Sequence, residues 1–304
     1  MNQTKASDMA SAKFPTLALV FIVSFLWGSN FVAMKVALDT FDPFTLSALR
    51  NGIAALVLVL YSLTFGFPPP KTKREWIAIF WISFHLTTVS SICFTFGLQY
   101  VSASLASVLV NTMPFFMIIF ARTFLAESPT SGGLIGLLLG FGGAALIASP
   151  TTADSSTISP IGLISILLAA ATWASGSVLV KKSGLLGPNA PFFVAVQLAM
   201  SFVCLSLVSF WHEGLGSAEV TGLGIASLLY GSIPGLAIPF LMWSEILRRG
   251  STLKASATAY LVPLFAIACG FIFLGDRLTP IEIAGGLLVL SGVGIMNNPF
   301  KKRS

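Results

Sequence analysis

A handful of polar side chains sit inside long apolar runs of this chain, and their types define the chemistry open to it. Trp27, Ser29 and Asn30 fall near the middle of the first run, and Trp173, Ser175 and Ser177 near the middle of a later one. His85 stands between Phe84 and Leu86 and is followed by Thr87, Thr88, Ser90 and Ser91. Asn111 and Thr112 precede Pro114, Thr258 and Tyr260 precede Pro263, and Glu245 is a carboxylate well inside an apolar run. Hydroxyls, carboxamides and an imidazole can hydrogen-bond the polar ends of a small solute, while tryptophan and tyrosine rings can cover its apolar part or a cation. His85, whose unperturbed pKa would be about 6.5, and Glu245 are the groups able to carry a proton.

Each of these residues also has a plainer account. Gly28 and Gly176 are small residues of the kind that let helices touch. Glu245 has Arg248 and Arg249 one turn on, at ion-pair spacing. Lys35 and Lys181 either snorkel to lipid headgroups or line a vestibule at opposite faces. The prolines kink their helices and bare carbonyls one turn back, which serves a cavity or a bend equally.

Signatures of covalent and metal chemistry are absent from the sequence. There is no Gly-x-Ser-x-Gly, no phosphate-binding Walker loop and no pair of mid-membrane aspartates, and His85 and His212 give no HExxH. Cys93, Cys204 and Cys269 lie in separate apolar segments without metal-ligand spacing, which predicts free, packed thiols and neither a metal nor another cofactor. A membrane enzyme would gather acid and base residues at one face, and none gather here. A sensor or scaffold would need a soluble output domain, which the short tails do not offer.

The elements that must position these groups follow from composition. Hydrophobic residues make up 55% of the 304 and charged residues only 9%, against roughly a quarter charged in a water-soluble domain. Most of the surface therefore faces lipid, and the net charge of +6 reads as a topology signal, not a nucleic-acid patch. A spanning helix needs about 20 apolar residues, and ten segments qualify: 16–38, 43–65, 76–98, 101–122, 130–149, 160–182, 190–211, 220–246, 252–273 and 280–297. Asp42-Pro43, Ser128-Pro129, Ser159-Pro160 and Thr279-Pro280 each put a capping oxygen before a proline at the first helical position. The first run is too long for a cleaved signal sequence, so it is expected to be a retained helix. With the N-terminus inside, Lys71, Lys73, Arg74, Arg122, Lys181, Lys182, Arg248, Arg249, Lys254 and the basic residues of both tails face the cytoplasm, while Lys35 and Arg50 lie near outer helix ends. That bias predicts both termini in the cytoplasm.

The chain is also a tandem duplication. A shift of 146 places Trp27 on Trp173, Ser29 on Ser175, Val32 on Val178 and Lys35 on Lys181. A shift of 149 places Ala106-Ser107 on Ala255-Ser256, Pro114 on Pro263, Phe116 on Phe265 and Thr130 on Thr279. The expected organisation is a polar stretch at 1–14, one five-helix repeat at 15–149, a linker at 150–158, a second repeat at 159–298 and a basic tail at 299–304. An odd number of spans per copy sends the second copy into the bilayer from the other side. The fold expected is an all-α membrane protein, ten transmembrane helices as two inverted five-helix repeats.

Leu-Trp-Gly-Ser-Asn-Phe-Val-Ala-Met-Lys at 26–35, Ala-Ser-(x)6-Pro at 106–114 and 255–263, and Phe-Leu-Gly-Asp-Arg-Leu-Thr at 273–279 resemble the EamA-type members of the drug/metabolite transporter superfamily. The resemblance covers nearly the whole chain. It implies an inner-membrane secondary transporter that exports amino acids or related metabolites by alternating access, or drug-like cations, with a facilitator of the same fold as the remaining option. It also implies a central cavity lined by helices 1, 3, 4, 6, 8 and 9, and helices 5 and 10 at the periphery as a homodimer contact. Carried over by motif, Trp27, Ser29, Asn30, Trp173 and Ser175 face that cavity, as do Asn111, Thr112, Thr258 and Tyr260 from the proline-containing helices. The sequence departs from the family's Gly-Glu-Arg at Ala126-Glu127-Ser128 and at Gly275-Asp276-Arg277, both at helix ends. His85 resembles a histidine of some aromatic amino acid exporters, but its flanks do not match well enough to carry that substrate over. The partners implied are a small-molecule substrate and the lipid bilayer, with no nucleic acid.

Overall fold

The computed structural model describes residues 15–126, 131–147, 159–185, 190–214, 220–248 and 258–296. Among these, the chain forms ten helices and no strand. They are α1 Thr16–Ala37, α2 Pro43–Thr64, α3 Lys73–Leu98, α4 Ala103–Leu125, α5 Ser131–Ile147, α6 Pro160–Ser183, α7 Ala190–His212, α8 over 222–248, α9 over 258–274 and α10 Pro280–Met296. Seven of these stretches are long and apolar enough to cross a bilayer, and α5, α9 and α10 are shorter apolar helices. The chain is an integral membrane protein.

Apolar run length sets the helices, because in hydrocarbon each backbone polar group must be satisfied within its own segment. The starts differ in detail from expectation. Thr279 does cap α10: its Oγ1 accepts from Glu282 N at 3.3 Å, and Glu282 Oε2 accepts from Thr279 N at 2.6 Å. Asp42 and Ser159 precede a proline at the start of α2 and α6 but make no side-chain cap bond. The donors at the start of α2 are instead taken by Glu213 beyond the end of α7, which accepts from Phe44 N at 2.8 Å and Thr45 N at 2.7 Å. A tertiary carboxylate replaces the local one because it can reach two orphan N–H groups at once. Asp276 does the same for α4, accepting from Ser104 N at 3.1 Å and Ser104 Oγ at 2.9 Å. Ser128-Pro129 and Glu127 lie outside the described residues, as do the linker, both tails and Ala255-Ser256.

Four helices are not regular. α3 widens to a π segment at Phe84–Val89, α8 at Ile233–Ala237 and α9 at Gly270–Leu274. Pro234 lies at the start of the second of these and supplies no N–H to the ladder. In α4 the helix breaks at Asn111-Thr112 and restarts at Met113 with Pro114 beside it. Pro263 lies inside α9 without ending it. One expected proline site thus coincides with a break, in α4, and the π segments have no counterpart in the sequence reading.

Packing runs across the two halves of the chain. α2 lies along α7 and α5 along α10 over most of their lengths. α1 packs against α9 and α8, while α6 packs against α4 and α3; α8 also meets α2, and α3 meets α7. The largest apolar core gathers Met34, Leu46, Leu98, Leu105, Leu109 and Ile166, and a second gathers Leu58, Ile79, Ile82, Leu198, Leu236 and Phe240.

Candidate functional site

The two motif serines each make a bond across the halves. Ser29 on α1 meets Tyr230 on α8 at 2.6 Å, and Ser175 on α6 meets His85 Nδ1 on α3 at 2.9 Å. Each serine also donates back to its own helix, Ser29 to the Phe25 carbonyl at 2.7 Å and Ser175 to the Thr172 carbonyl at 2.9 Å. With those protons committed, the phenol of Tyr230 and the Nδ1–H of His85 are the donors. His85 Nε2 makes no hydrogen bond among the described residues and is left to accept. His85 sits in the π segment of α3, and Tyr230 lies one turn before the π segment of α8. Single π turns interrupt helices at functional sites more often than elsewhere.

The same two crossings bring the rest of the motif together. Asn30 is 5% exposed, and its Oδ1 is buried without a hydrogen-bond partner. It lies against the α8 backbone: a Cβ placed on Gly235 would come 2.2 Å from that oxygen. At the other crossing Gly176 meets α3, where a Cβ would come 2.6 Å from Leu86 Cβ. Gly176 is therefore a helix contact, as small residues at membrane interfaces commonly are. Both motif tryptophans are half-buried and reach the same turn of α8, Trp27 with its ring 5.5 Å from Trp243 and Trp173 with its ring 5.9 Å from Phe240.

The remaining residues singled out from the sequence lie on α4, α8 and α9. Asn111 and Thr112 sit at the break in α4 and serve it: Asn111 Nδ2 donates to the Ser107 carbonyl and Thr112 Oγ1 to the Leu109 carbonyl, both at 2.7 Å. Thr258 is buried at the start of α9. The Tyr260 side chain lies outside the described residues. Glu245 is half-buried near the end of α8, and the Arg248 and Arg249 side chains expected to pair with it lie outside the described residues.

Two basic residues bond within the bundle. The first is Lys35. Its Nζ donates to the carbonyls of Leu98, Gln99 and Val101 at 2.5, 3.2 and 2.9 Å, which closes the end of α3. A cation satisfies orphan carbonyls and opposes the negative helix end there. The second, Arg50, is buried against α8. It is 8% exposed, and its Nε donates to the Gly231 carbonyl of α8 at 3.0 Å. Its place two turns inside an apolar run was the signal available, since a charge in hydrocarbon costs about 2.5–3.5 kcal/mol on insertion scales and asks for a role. Tyr230, the partner of Ser29, carried no such signal. All three cysteines are free thiols.

Comparison with known proteins agrees with this architecture. The model of the EamA-like transporter family matches residues 14–149 and again 160–298. A Bacillus subtilis protein named "Uncharacterized transporter YvbV" is 31% identical over 290 residues, covering 94% of this chain and 92% of the relative. An Escherichia coli protein named "Probable amino-acid metabolite efflux pump" is 27% identical over 303 residues, covering 94% and 95%. A Streptantibioticus cattleyicolor protein named "Probable terminal-alkyne amino-acid exporter" is 28% identical over 277 residues, covering 89% of each. A solved crystal structure superposes with a TM-score of 0.66 at 15% identity over 92% of this chain and 96% of that one, a likeness of fold.

Proposed function

Because the chain belongs to the EamA-like transporter family, and so is a transporter and not an enzyme, we propose that it exports small metabolites, amino acids or related compounds, across a bacterial inner membrane by alternating access. The observation that carries this is the pair of serine-centred bonds, Ser29 with Tyr230 and Ser175 with His85, each joining one half of the chain to the other. Polar contacts between halves, beside interrupted helices, are where a transporter of duplicated design holds its solute.

The ten helices are arranged as two inverted five-helix repeats. Supporting this, the most extensive helix contacts map onto one another when each helix is exchanged for the one five places away. The α1–α9 contact becomes α6–α4, α1–α8 becomes α6–α3, and α2–α8 becomes α7–α3, while α2–α7 and α5–α10 map onto themselves. Both termini face the cytoplasm. Trp27 and Trp173 flank the apolar part of the cargo, and Ser29, Asn30 and His85 meet its polar ends, with Asn111, Thr112, Ser175, Thr258 and Tyr260 around them. His85 is the proton-coupling group, having a free acceptor at Nε2, with Glu245 as the other titratable candidate. The α5–α10 pair is the contact through which two copies meet. The names of two relatives, an amino-acid metabolite efflux pump and an amino-acid exporter, favour amino acids over cationic drugs.

Counterflow in proteoliposomes tests the reading. Preloaded amino acid should accelerate entry of the labelled compound. Equal entry with and without preloading would mean a pore, and acceleration by cationic dyes alone would mean a drug exporter.

A further inference from the structure

Arg50 is a buried cation that uses few of its donors. It is buried in α2, and one of its five N–H groups, that on Nε, is used by the Gly231 carbonyl. Among the described residues its two terminal nitrogens make no hydrogen bond, and no carboxylate is close enough to act on it. Glu213 and Asp276, the carboxylates that cross between the halves, are engaged at the starts of α2 and α4. A buried cation left without a counter-charge inside a membrane protein marks a place where a charge arrives from elsewhere.

A second observation falls at the same spot. The Asn30 carboxamide makes no hydrogen bond among the described residues, and its buried Oδ1 lies against the turn of α8 that holds Gly231 and Gly235. Arg50 and Asn30 thus reach Gly231 from two helices, next to the bond between Ser29 and Tyr230. The Nε bond fixes the guanidinium plane and leaves the two Nη atoms as an end-on fork, the geometry that takes a carboxylate through two parallel N–H···O bonds.

We infer that Arg50 binds the carboxylate of the transported solute through its Nη fork, with the Asn30 carboxamide beside it as a second polar contact. The cargo class is then carboxylate-bearing, zwitterionic amino acids included, and permanently cationic compounds without an acid group are rejected by like charge. The inference rests on the export of amino acids proposed above and sharpens it to one chemical group.

The test uses the full chain purified in detergent. Each of the twenty L-amino acids is screened alone by thermal shift, alongside tetraphenylphosphonium, and any amino acid that raises Tm is repeated as its methyl ester and its amide. The expected result is a rise with the acid that falls by more than half with the ester and the amide. Arg50→Met should weaken the acid roughly 30-fold or more, as truncating a buried charge pair does, with the ligand-free Tm no lower than that of the parent. A merely structural Arg50, clamping α8 through Gly231, would instead lower the ligand-free Tm and leave the ligand shift intact. An ester as effective as its acid, or an unchanged shift in Arg50→Met, overturns the Arg50 assignment and leaves amino acid export standing. A rise with tetraphenylphosphonium alone, or no rise and no counterflow with any amino acid, overturns both. The acid, ester and amide series decides the matter even if the variant does not fold.

Discussion

The crossing of α1 with α8 and the crossing of α6 with α3 each carry one copy of the repeated motif, yet they are built in opposite ways. At the first, the motif helix supplies the bulk: Asn30 packs into the space over Gly235. At the second, the motif helix supplies the space: Gly176 lies under Leu86. The shift of 146 pairs Asn30 with Gly176, and the shift of 149 pairs Leu86 with Gly235, so large and small have been exchanged across one joint. The chemistry has been exchanged too. The first joint is polar, with an orphan oxygen and a phenol, and the second is apolar apart from the imidazole of His85. The two crossings therefore differ both in which helix supplies the volume and in the polar groups they hold.

Breaking either joint by volume has the largest expected effect. Gly235→Leu and Gly176→Asn should each cost about 1–3 kcal/mol by overpacking, read as lower Tm and loss of a single peak in gel filtration. Leu86→Gly added to Gly176→Asn should restore part of the loss, with a coupling of about 0.5–3 kcal/mol in a double-mutant cycle. Additive effects would mean the two crossings are not equivalent.

Next come the tryptophans that flank α8. Trp27→Ala and Trp173→Ala should each reduce counterflow roughly tenfold while the protein stays monodisperse, the scale of one lost aromatic contact. Normal counterflow in both variants would remove them from the solute's surroundings.

The titratable difference gives a selective effect. His85→Gln should flatten the dependence of transport on pH, because an imidazole can gain and lose a proton in the range where transport is assayed and a phenol does not. Tyr230→Phe should leave that profile in place. A flat profile in Tyr230→Phe, or an unchanged one in His85→Gln, would assign coupling elsewhere, with Glu245 next. The smallest effect is that of the serines: Ser29→Ala and Ser175→Ala should each cost about 0.6 kcal/mol in thermal stability, the average for a hydrogen bond between membrane helices.

Much of the frame was legible in the residues. Ten apolar runs gave ten helices close to their observed bounds, and the prolines at 43, 160 and 280 marked three starts. The site was legible only as a set of unusual residue types. Ser29 and Ser175 stood out because a repeated motif carried them, and His85 because it is polar in an apolar run. Tyr230 did not stand out, since a tyrosine in a membrane helix is unremarked until its partner is known. Lys35 and Arg50 were both read as charges near a helix end. One closes α3 and the other is buried against α8, a difference that depends on which helix lies beside each.

The sequence alone determined that this chain spans a membrane as helices, that it is a duplicated unit and, at three prolines, where a helix begins. These properties follow from local terms: transfer of apolar side chains out of water, satisfaction of the backbone within each segment, and proline at helix starts. Only the tertiary structure decided which polar groups meet. The bond from Ser175 to His85 spans 90 positions and that from Ser29 to Tyr230 spans 201. A side chain's partner in a bundle is fixed by helix rotation and crossing, and those are set by volumes contributed by other helices, which no single stretch of sequence contains.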